Sequence, residues 1–230
     1  MRAPTTKIFT LPTLAFALLS VLAGLSSTPV VAQPVPETQI DADIWADNWF
    51  ALYVNETLVK EDSVAFQTER SFNAESFQFS AALPAQAAVI MKDYFENDTG
   101  LEYIGRRGQQ MGDGGFIAQF THAETGALIE ASSSDWQCHV IHQAPLNTEC
   151  ERSATPDTTC QSQITAEPDG WMAADFDDSA WTAAVEHDAN AVRPKRGYRT
   201  INWDTNAKFV WGDDLEIDNV ILCRFTLQEG

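Results

Sequence analysis

The stretch Trp49-Phe-Ala-Leu-Tyr-Val54, followed by Asn55-Glu-Thr57, decides the fold. Six consecutive residues of this kind are typical of a β-strand, whose side chains alternate between two faces. Trp49, Ala51 and Tyr53 would share one face, and Phe50, Leu52 and Val54 the other. Because Asn55-Glu-Thr57 is a turn and Leu58-Val59 begins a return strand, the stretch predicts a β-hairpin.

Other strand patterns recur at roughly regular spacing, and no window has helical periodicity over three turns. Residues 87–91 are a continuous apolar run, and residues 116–120 are apolar except for Gln119, a pattern typical of strands covered on both faces. The remaining patterns lie at residues 77–79, 128–141 with a Ser-rich break at 132–134, 209–211 and 220–227. The sequence therefore predicts an all-β fold, a β-sandwich or jelly roll.

Residues 1–32 have the pattern of a signal peptide. Arg2 and Lys7 precede a mostly apolar run, and Val30-Val31-Ala32 supplies small residues before a cleavage site at Gln33. The alternative is an uncleaved membrane anchor, for which the run is marginal in length and interrupted by Pro12. We expect a secreted or periplasmic protein with no membrane insertion after cleavage. A flexible leader over 33–40 and a single β-sandwich domain over 41–230 would follow.

The charge of the chain excludes some partners. It has 14 Lys and Arg against 33 Asp and Glu, a net charge of -19. Such a chain repels phosphate backbones and anionic lipid, so nucleic acid is not expected as a partner. With 44% hydrophobic residues, it has enough apolar content for a core, so the acidity does not indicate disorder. The oligomeric state stays open.

The four cysteines predict two disulfides, because an even count in an oxidising compartment favours pairing. Three pairings are possible. A local Cys150–Cys160 bridge would close the polar loop within the mostly irregular segment 143–170. Cys138 and Cys223 both lie in strand-like runs, so a long-range bridge between strands is the natural complement. Zinc binding is disfavoured because the chain has no Cys-x-x-Cys pair.

Two segments carry a family resemblance. Ala46-Asp-Asn-Trp-Phe-Ala-Leu-Tyr-Val-Asn55 and Gly170-Trp-Met-Ala-Ala-Asp-Phe-Asp-Asp-Ser-Ala-Trp181 resemble motifs of galactose-binding-like jelly-roll domains attached to bacterial glycoside hydrolases. In that family the second motif normally precedes the first, so the resemblance implies a circularly permuted jelly roll. Glu56 also departs from the family pattern, which has Gly there. Because of the permutation, no ligand contacts are carried over.

The resemblance also implies roles for residues within the two motifs. Such jelly rolls often hold a structural calcium, which the resemblance permits at Asp47 and Asn48, although no contiguous calcium loop supports it. Trp171, Phe176 and Trp181 are expected to pack against the sheets. One of the polar residues 177–179 would cap a single helical turn.

The most site-like stretch is 93–115, a long polar segment that links two apolar strands. A tyrosine there would stack on the apolar face of a sugar while polar side chains bind its hydroxyls. The alternative is a solvated loop whose arginines pair with neighbouring carboxylates. The predicted ligand-binding residues are Asp93, Tyr94, Asn97, Glu102, Tyr103, Arg106, Arg107, Gln109 and Asp113.

We therefore expect an exported, non-catalytic protein that binds a saccharide or similar polar ligand. One alternative is an envelope protein-protein interaction module, which exposed and clustered Trp45 and Trp49 would indicate. A second is a periplasmic copper-binding protein using His139 and His142, although a regular strand would place the two rings on opposite faces.

A glycoside-processing enzyme is the third alternative. The sequence has no common catalytic motif, such as Gly-x-Ser-x-Gly or His-Glu-x-x-His. An enzyme would be favoured if Asp93, Glu96, Glu102 or Asp113 proved buried in one cleft with strongly raised pKa values.

Overall fold

The computed structural model describes Thr5 and residues 35–229. The predicted signal peptide and its cleavage site lie outside the described residues, apart from Thr5. Within the described part of the chain, no helix is long and apolar enough to cross a membrane.

Short strands dominate residues 35–229, joined by turns and a few single helical turns. The helical segments are α1 (Pro156–Thr159), α2 (Ala189–Val192) and the 3-10 turns Thr148–Arg152 and Tyr198–Thr200. The strands are β1 (Thr38–Asp47), β2 (Trp49–Val54), β3 (Thr57–Glu61), β4 (Ala74–Ala81), β5 (Ala85–Lys92), β6 (Leu101–Glu102), β7 (Gln110–Met111), β8 (Gly115–His122), β9 (Leu128–Ala131), β10 (Gln137–Gln143), β11 (Gln163–Ile164), β12 (Thr182–Ala183), β13 (Val185–His187), β14 (Phe209–Trp211) and β15 (Asp218–Leu227).

Two antiparallel sheets form the framework. The first sheet has the order β13-β14-β8-β1-β4, with β9 also paired to β8. The second sheet has the order β11-β10-β15-β5-β2-β3, with β12 also paired to β10. A separate two-stranded hairpin, β6-β7, stands in the long link between β5 and β8. The predicted all-β sandwich is confirmed.

The main core lies between the two sheets and follows the period of the strands. Ile40, Ala42 and Ile44 of β1 alternate into it from the first sheet, and Phe50, Leu52 and Val54 of β2 from the second. Trp49 and Ala51 point to the opposite face of β2, with Tyr53 packed beside them. The predicted division of this strand into two faces is therefore confirmed.

Each sheet is also covered on its outer face, which explains the continuous apolar runs. Val192, Tyr198 and Trp203 pack with Trp45 and Ile117 over the first sheet. Trp171, Phe176 and Trp181 pack with Ala88 and Ile90 over the second. Strands β5 and β8 therefore face apolar neighbours on both sides, as their sequences predict.

The β2-β3 hairpin turns at Asn55 and Glu56, whose φ angles are 47° and 65°. Left-handed conformations at both central positions are typical of a type I′ turn, which matches the twist of the two strands. Asn55 also accepts a hydrogen bond from the backbone N–H of Gln86, at 3.2 Å. Glu56 therefore occupies a conformation that favours glycine.

Both predicted disulfides are present. Cys138 and Cys223 face each other across β10 and β15. Cys150 and Cys160 close the polar loop that contains α1. All four cysteines are paired.

The motif at 170–181 forms an outer cover of the second sheet. Arg224, only 3% exposed, donates hydrogen bonds to the carbonyl oxygens of Trp171 and Ala173. It also donates to Asp178 at 2.8 Å. The residues form turns and no helical turn, so the predicted helix cap is wrong: Asp177 accepts from Ser179 N–H within a turn, and Asp178 pairs with Arg224.

The domain begins earlier than expected. Residues 38–40, assigned to the flexible leader, belong to β1 and pair with β4, and Ile40 is fully buried. Because Ile40, Ala42 and Ile44 alternate with polar residues, the strand pattern in the sequence extends back to Ile40.

Candidate functional site

A cavity of about 450 Å³ lies beside the β6-β7 hairpin. The hairpin is anchored by Leu101, which is fully buried, and by the pairing of Glu102 with Gln110. Three separate segments complete the walls: the link between β3 and β4, the residues before β8, and the chain after α2. The lining residues are Arg70, Phe72, Glu102, Tyr103, Arg106, Gly108, Gln110, Asp113 and Lys195.

Lys195 lines the cavity and also contacts the last residue of β1, Asp47. Its ammonium group donates to Asp113 Oδ1 at 2.8 Å and to Asp47 Oδ2 at 3.2 Å. The same group lies 4.3 Å from the centre of the Phe72 ring. These contacts fix Lys195 between a buried carboxyl and a carboxyl that is 42% exposed.

Several carboxyls near Lys195 are held towards their neutral form. Burial raises the pKa of Asp47 to about 8, against the opposing attraction of Lys195. Burial also raises the pKa of Glu102, and the charge of Asp113 raises it further. Burial alone would lower the pKa of Lys195, but the charges of Asp47 and Asp113 raise it above the usual value. At neutral pH the ammonium therefore pairs with Asp113 and donates to a largely neutral Asp47.

Asp93 lies beneath the hairpin and is 1% exposed. Burial, followed by the charge of Asp47, raises its pKa well above the usual range. Its Oδ1 accepts from the backbone N–H of Tyr94 at 2.8 Å, whereas its Oδ2 has no hydrogen-bond partner and packs against Gly112. A protonated Asp93 removes the cost of burying a charge at this point.

The polar groups that line the cavity are fixed by neighbours. Gln110 donates to Glu102 Oε2 at 2.8 Å. Arg106 pairs with Glu69 at 2.7 Å, whereas Arg70 is exposed beside Tyr103, whose proximity raises the pKa of the guanidinium. The site is therefore a largely preformed cavity with both hydrogen-bond donors and acceptors.

Four of the nine predicted ligand-binding residues line this cavity, namely Glu102, Tyr103, Arg106 and Asp113. Asp93 lies behind it. Tyr94 is also buried, and its backbone N–H donates to Asn48 Oδ1 at 2.6 Å.

The other three predicted residues lie elsewhere. Asn97 binds Asp157 at 2.7 Å, beside a different cavity, and Arg107 is exposed outside the lining. Gln109 donates to the carbonyl oxygens of Glu151 and Ser153, so it ties the hairpin to the disulfide loop.

A larger cavity of about 730 Å³ adjoins the first. The two share Gln110, Asp113 and Lys195 as lining residues. Beyond these, the larger cavity is lined by four acidic side chains, Arg193 and His187, together with apolar residues. The acidic residues are Glu151, Asp213, Asp214 and Glu216.

Asp47 and Asn48, the predicted calcium ligands, both have protein partners. Asp47 accepts from Lys195, and Asn48 donates from its side chain to the Ser71 carbonyl oxygen at 3.1 Å. Within the described residues, no group of three or more His, Cys, Asp or Glu side chains is placed to hold a metal ion. The calcium site stays a prediction.

His139 and His142 face the same side of the second sheet, so the expectation of opposite faces is wrong. The register of β10 against β15 shifts between Val140 and His142, which places His139 opposite Leu222 and His142 opposite Val220. The two rings have different partners: His139 stacks on Trp181 and His142 lies against Phe95.

The two tryptophans considered for a partner surface are buried. Trp45 is fully buried in the first sheet, and Trp49 is 8% exposed in the second. The exposed tryptophan cluster that would indicate a protein-interaction module is therefore not formed by these residues.

Arg70, Phe72 and Lys195 are site residues that the sequence reasoning missed. Lys195 lies in Arg193-Pro-Lys-Arg196, a concentration of positive charge in a chain poor in cations, so a signal was present. No comparable sequence signal identifies Arg70 or Phe72. They belong to the link between β3 and β4, which only the tertiary fold brings next to the β6-β7 hairpin.

Comparisons with known proteins identify no relative of this chain. No family model matches the chain, and neither a curated protein nor a solved structure matches it. The resemblance to galactose-binding-like domains stays a prediction.

Proposed function

We propose that this protein is an exported binding protein that takes a saccharide in the cavity of about 450 Å³. The observation that carries the proposal is the lining itself, which combines Tyr103 and Phe72 with fixed polar groups on a rigid sandwich. Small-molecule sites are concave, mostly preformed and contain a few well-placed polar groups. A volume of about 450 Å³ suits one or two sugar units.

The lining supplies what a sugar requires. Because the ammonium of Lys195 already lies over Phe72, Tyr103 is the aromatic residue left to contact the apolar face of a sugar ring. Gln110 and Arg70 donate hydrogen bonds, whereas Asp113 accepts them, so sugar hydroxyls find both kinds of partner.

The two disulfides support export. Paired cysteines persist in oxidising compartments, which include the periplasm and the outside of the cell. This agrees with the signal-peptide pattern at residues 1–32.

A glycan array tests the proposal, with and without a chelator. We expect binding to a limited set of glycans, which Tyr103→Ala abolishes and Tyr103→Phe largely retains, since phenylalanine keeps the ring. Absence of binding to every glycan would overturn the saccharide proposal. Binding or thermal stability that falls with the chelator would support the predicted calcium, and insensitivity of both would remove it.

An enzyme acting on glycosides is a second candidate, and one observation favours it. Glu102 lines the cavity with a raised pKa, and Asp113, a carboxylate paired with Lys195, lines it too. Glycoside hydrolysis needs one carboxyl that donates a proton to the leaving oxygen and a second that activates water or attacks the sugar.

Release of reducing sugar from the glycans that bind tests this candidate. An enzyme would lose most of its turnover in Glu102→Gln while its binding is kept, because the amide keeps the hydrogen bond from Gln110 but cannot donate a proton to the leaving oxygen. If the parent protein releases no sugar, the enzyme candidate is excluded and binding is the only proposed function that remains.

A further inference from the structure

Three cationic side chains lie in the wall of the cavity of about 450 Å³. The chain has only 14 Lys and Arg against 33 Asp and Glu, yet three of these cations line this one cavity. Arg70, Arg106 and Lys195 come from three separate segments, so the fold brings them together.

Two of the three cations keep donors for a ligand. Arg106 bonds Glu69 through Nη1, and 59% of its side chain is exposed. Arg70 is also exposed beside Tyr103. A guanidinium group has five N–H donors, and two of them can bind one carboxylate or sulfate side by side.

Two of the cations have a carboxylate partner, since Lys195 pairs with Asp113 at 2.8 Å and Arg106 with Glu69 at 2.7 Å. Arg70 forms no ion pair with another of the described residues. Glu102 is buried, and burial raises its pKa. Asp47, beneath Lys195, has a pKa of about 8 and is largely protonated at pH 7. Arg70 and the remaining N–H donors of Arg106 are therefore left to bind one anionic group, on a protein whose overall field repels anions.

The adjoining cavity has the opposite character. Glu151, Asp213, Asp214 and Glu216 line it beside Arg193, and it meets the first cavity at Gln110, Asp113 and Lys195. A ligand long enough to cross this boundary meets cations at one end and carboxylates at the other. A second anionic unit would be repelled there.

We infer that the ligand is a saccharide with a single acidic unit, whose carboxylate or sulfate binds Arg70 and Arg106 while a neutral unit extends towards the acidic cavity. This inference rests on the proposed saccharide binding. It predicts preference both for acidic over neutral sugars and for one acidic unit over several.

Isothermal titration with four probes tests the inference. They are glucuronic acid linked to a neutral hexose, the same disaccharide with glucose in place of glucuronic acid, its sulfated form, and an oligomer of galacturonic acid. We expect the mono-acidic disaccharides to bind at least about tenfold more tightly than the neutral one, since each charged hydrogen bond contributes strongly. The preference should weaken as salt is added. The carboxylated and sulfated probes distinguish the two sources of the anion.

Arg106→Gln and Arg70→Gln should each weaken binding of the mono-acidic disaccharides by a much larger factor than binding of the neutral one. Arg107→Gln is the matched control, because Arg107 is the exposed neighbour outside the lining. Equal binding of acidic and neutral disaccharides, or equal effects at Arg106 and Arg107, would overturn the inference and leave saccharide binding intact. Tighter binding of the galacturonic oligomer would overturn the single acidic unit. Absence of binding by all four, with a blank glycan array, would overturn both.

Discussion

Asp47 couples the protonation of the site to folding. Its pKa is about 8 in the folded protein, mainly because of burial, and about 4 in an unfolded chain. Between these values the folded state keeps a proton that the unfolded state releases. The free energy of unfolding should therefore fall as pH rises from 4 to 8, by up to about 1.4 kcal/mol per pH unit from this group.

Asp47→Asn keeps an oxygen for Lys195 and removes this titration. Urea unfolding at pH 5, 6.5 and 8 should show a smaller slope of stability against pH, with the remainder due to Asp93 and Glu102. Asp41→Asn, on the exposed face of the same strand, is the control and should keep the parental slope. An unchanged slope in Asp47→Asn would mean that this carboxyl does not cause the pH dependence.

Gly112 is required by close packing against Asp93. A Cβ at this position would overlap the Asp93 carboxyl, whereas one at Gly108 would have only an ordinary contact of 3.9 Å with Tyr103. We expect Gly112→Ala to lower the free energy of unfolding by about 1–3 kcal/mol, as overpacking does. Gly108→Ala should have little effect. Chemical denaturation measures both, and equal stability of the two variants would contradict the packing argument.

Only some of the residues that line the cavity could be predicted from the sequence. Arg106 and Tyr103 were identifiable because they stand in a long polar link between apolar strands. Arg70 and Phe72 belong to a different link, and their place in the cavity depends on tertiary contacts that no local pattern encodes.

At the scale of elements, the sequence of the β2-β3 turn is not the most stable one for its conformation. Glu56 has a φ of 65°, where a side chain is strained and glycine is not. Glu56→Gly should raise stability by about 0.5–1 kcal/mol, the relief of strain being partly offset by the greater freedom of glycine in the unfolded chain. Glu61→Gly, in the paired strand β3, should lower stability instead. Thermal unfolding distinguishes the two, and a lower melting temperature for Glu56→Gly would count against the turn assignment.

Strand prediction succeeded where alternation is regular and failed where it is interrupted. The two faces of β2 follow directly from Trp49 to Val54. In β10 the extra residue near Ile141 turns His142 to the same side as His139, and a bulge of this kind leaves no clear mark in the sequence.

At the scale of the whole molecule, the two disulfides should differ in their contributions. Cys138–Cys223 spans 85 residues and Cys150–Cys160 spans 10. In the chain-entropy model, the long bridge stabilises by about 4–5 kcal/mol and the short one by about 2–3 kcal/mol. The double variants Cys138→Ser/Cys223→Ser and Cys150→Ser/Cys160→Ser, compared by denaturation, should show this order.

A second outcome separates the two bridges. Because Gln109 binds the disulfide loop, loss of Cys150–Cys160 should also weaken ligand binding. A variant that is destabilised to the same extent by a substitution elsewhere, with this disulfide intact, should bind the ligand normally. Unchanged affinity in the Cys150→Ser/Cys160→Ser variant would show that the hairpin does not depend on the loop.

The class of fold was within reach of the sequence, whereas the arrangement of strands was not. Short alternating runs predict an all-β sandwich because each strand must bury one face. Nothing in residues 218–227 indicates that β15 pairs with both β10 and β5, since the choice between partners depends on contacts distant in the chain.

The interior position of β15 has a consequence for biosynthesis. It is the last strand of the described chain, yet β10 and β5 reach each other only through it. A ribosome adding 5–20 residues per second needs roughly 4–17 seconds to pass from the end of β10 to the end of β15. Throughout that delay the edges of β5 and β10 are open to pairing with other chains. The yield of correctly folded molecules therefore depends on how such edges are shielded until translation has delivered the final strand.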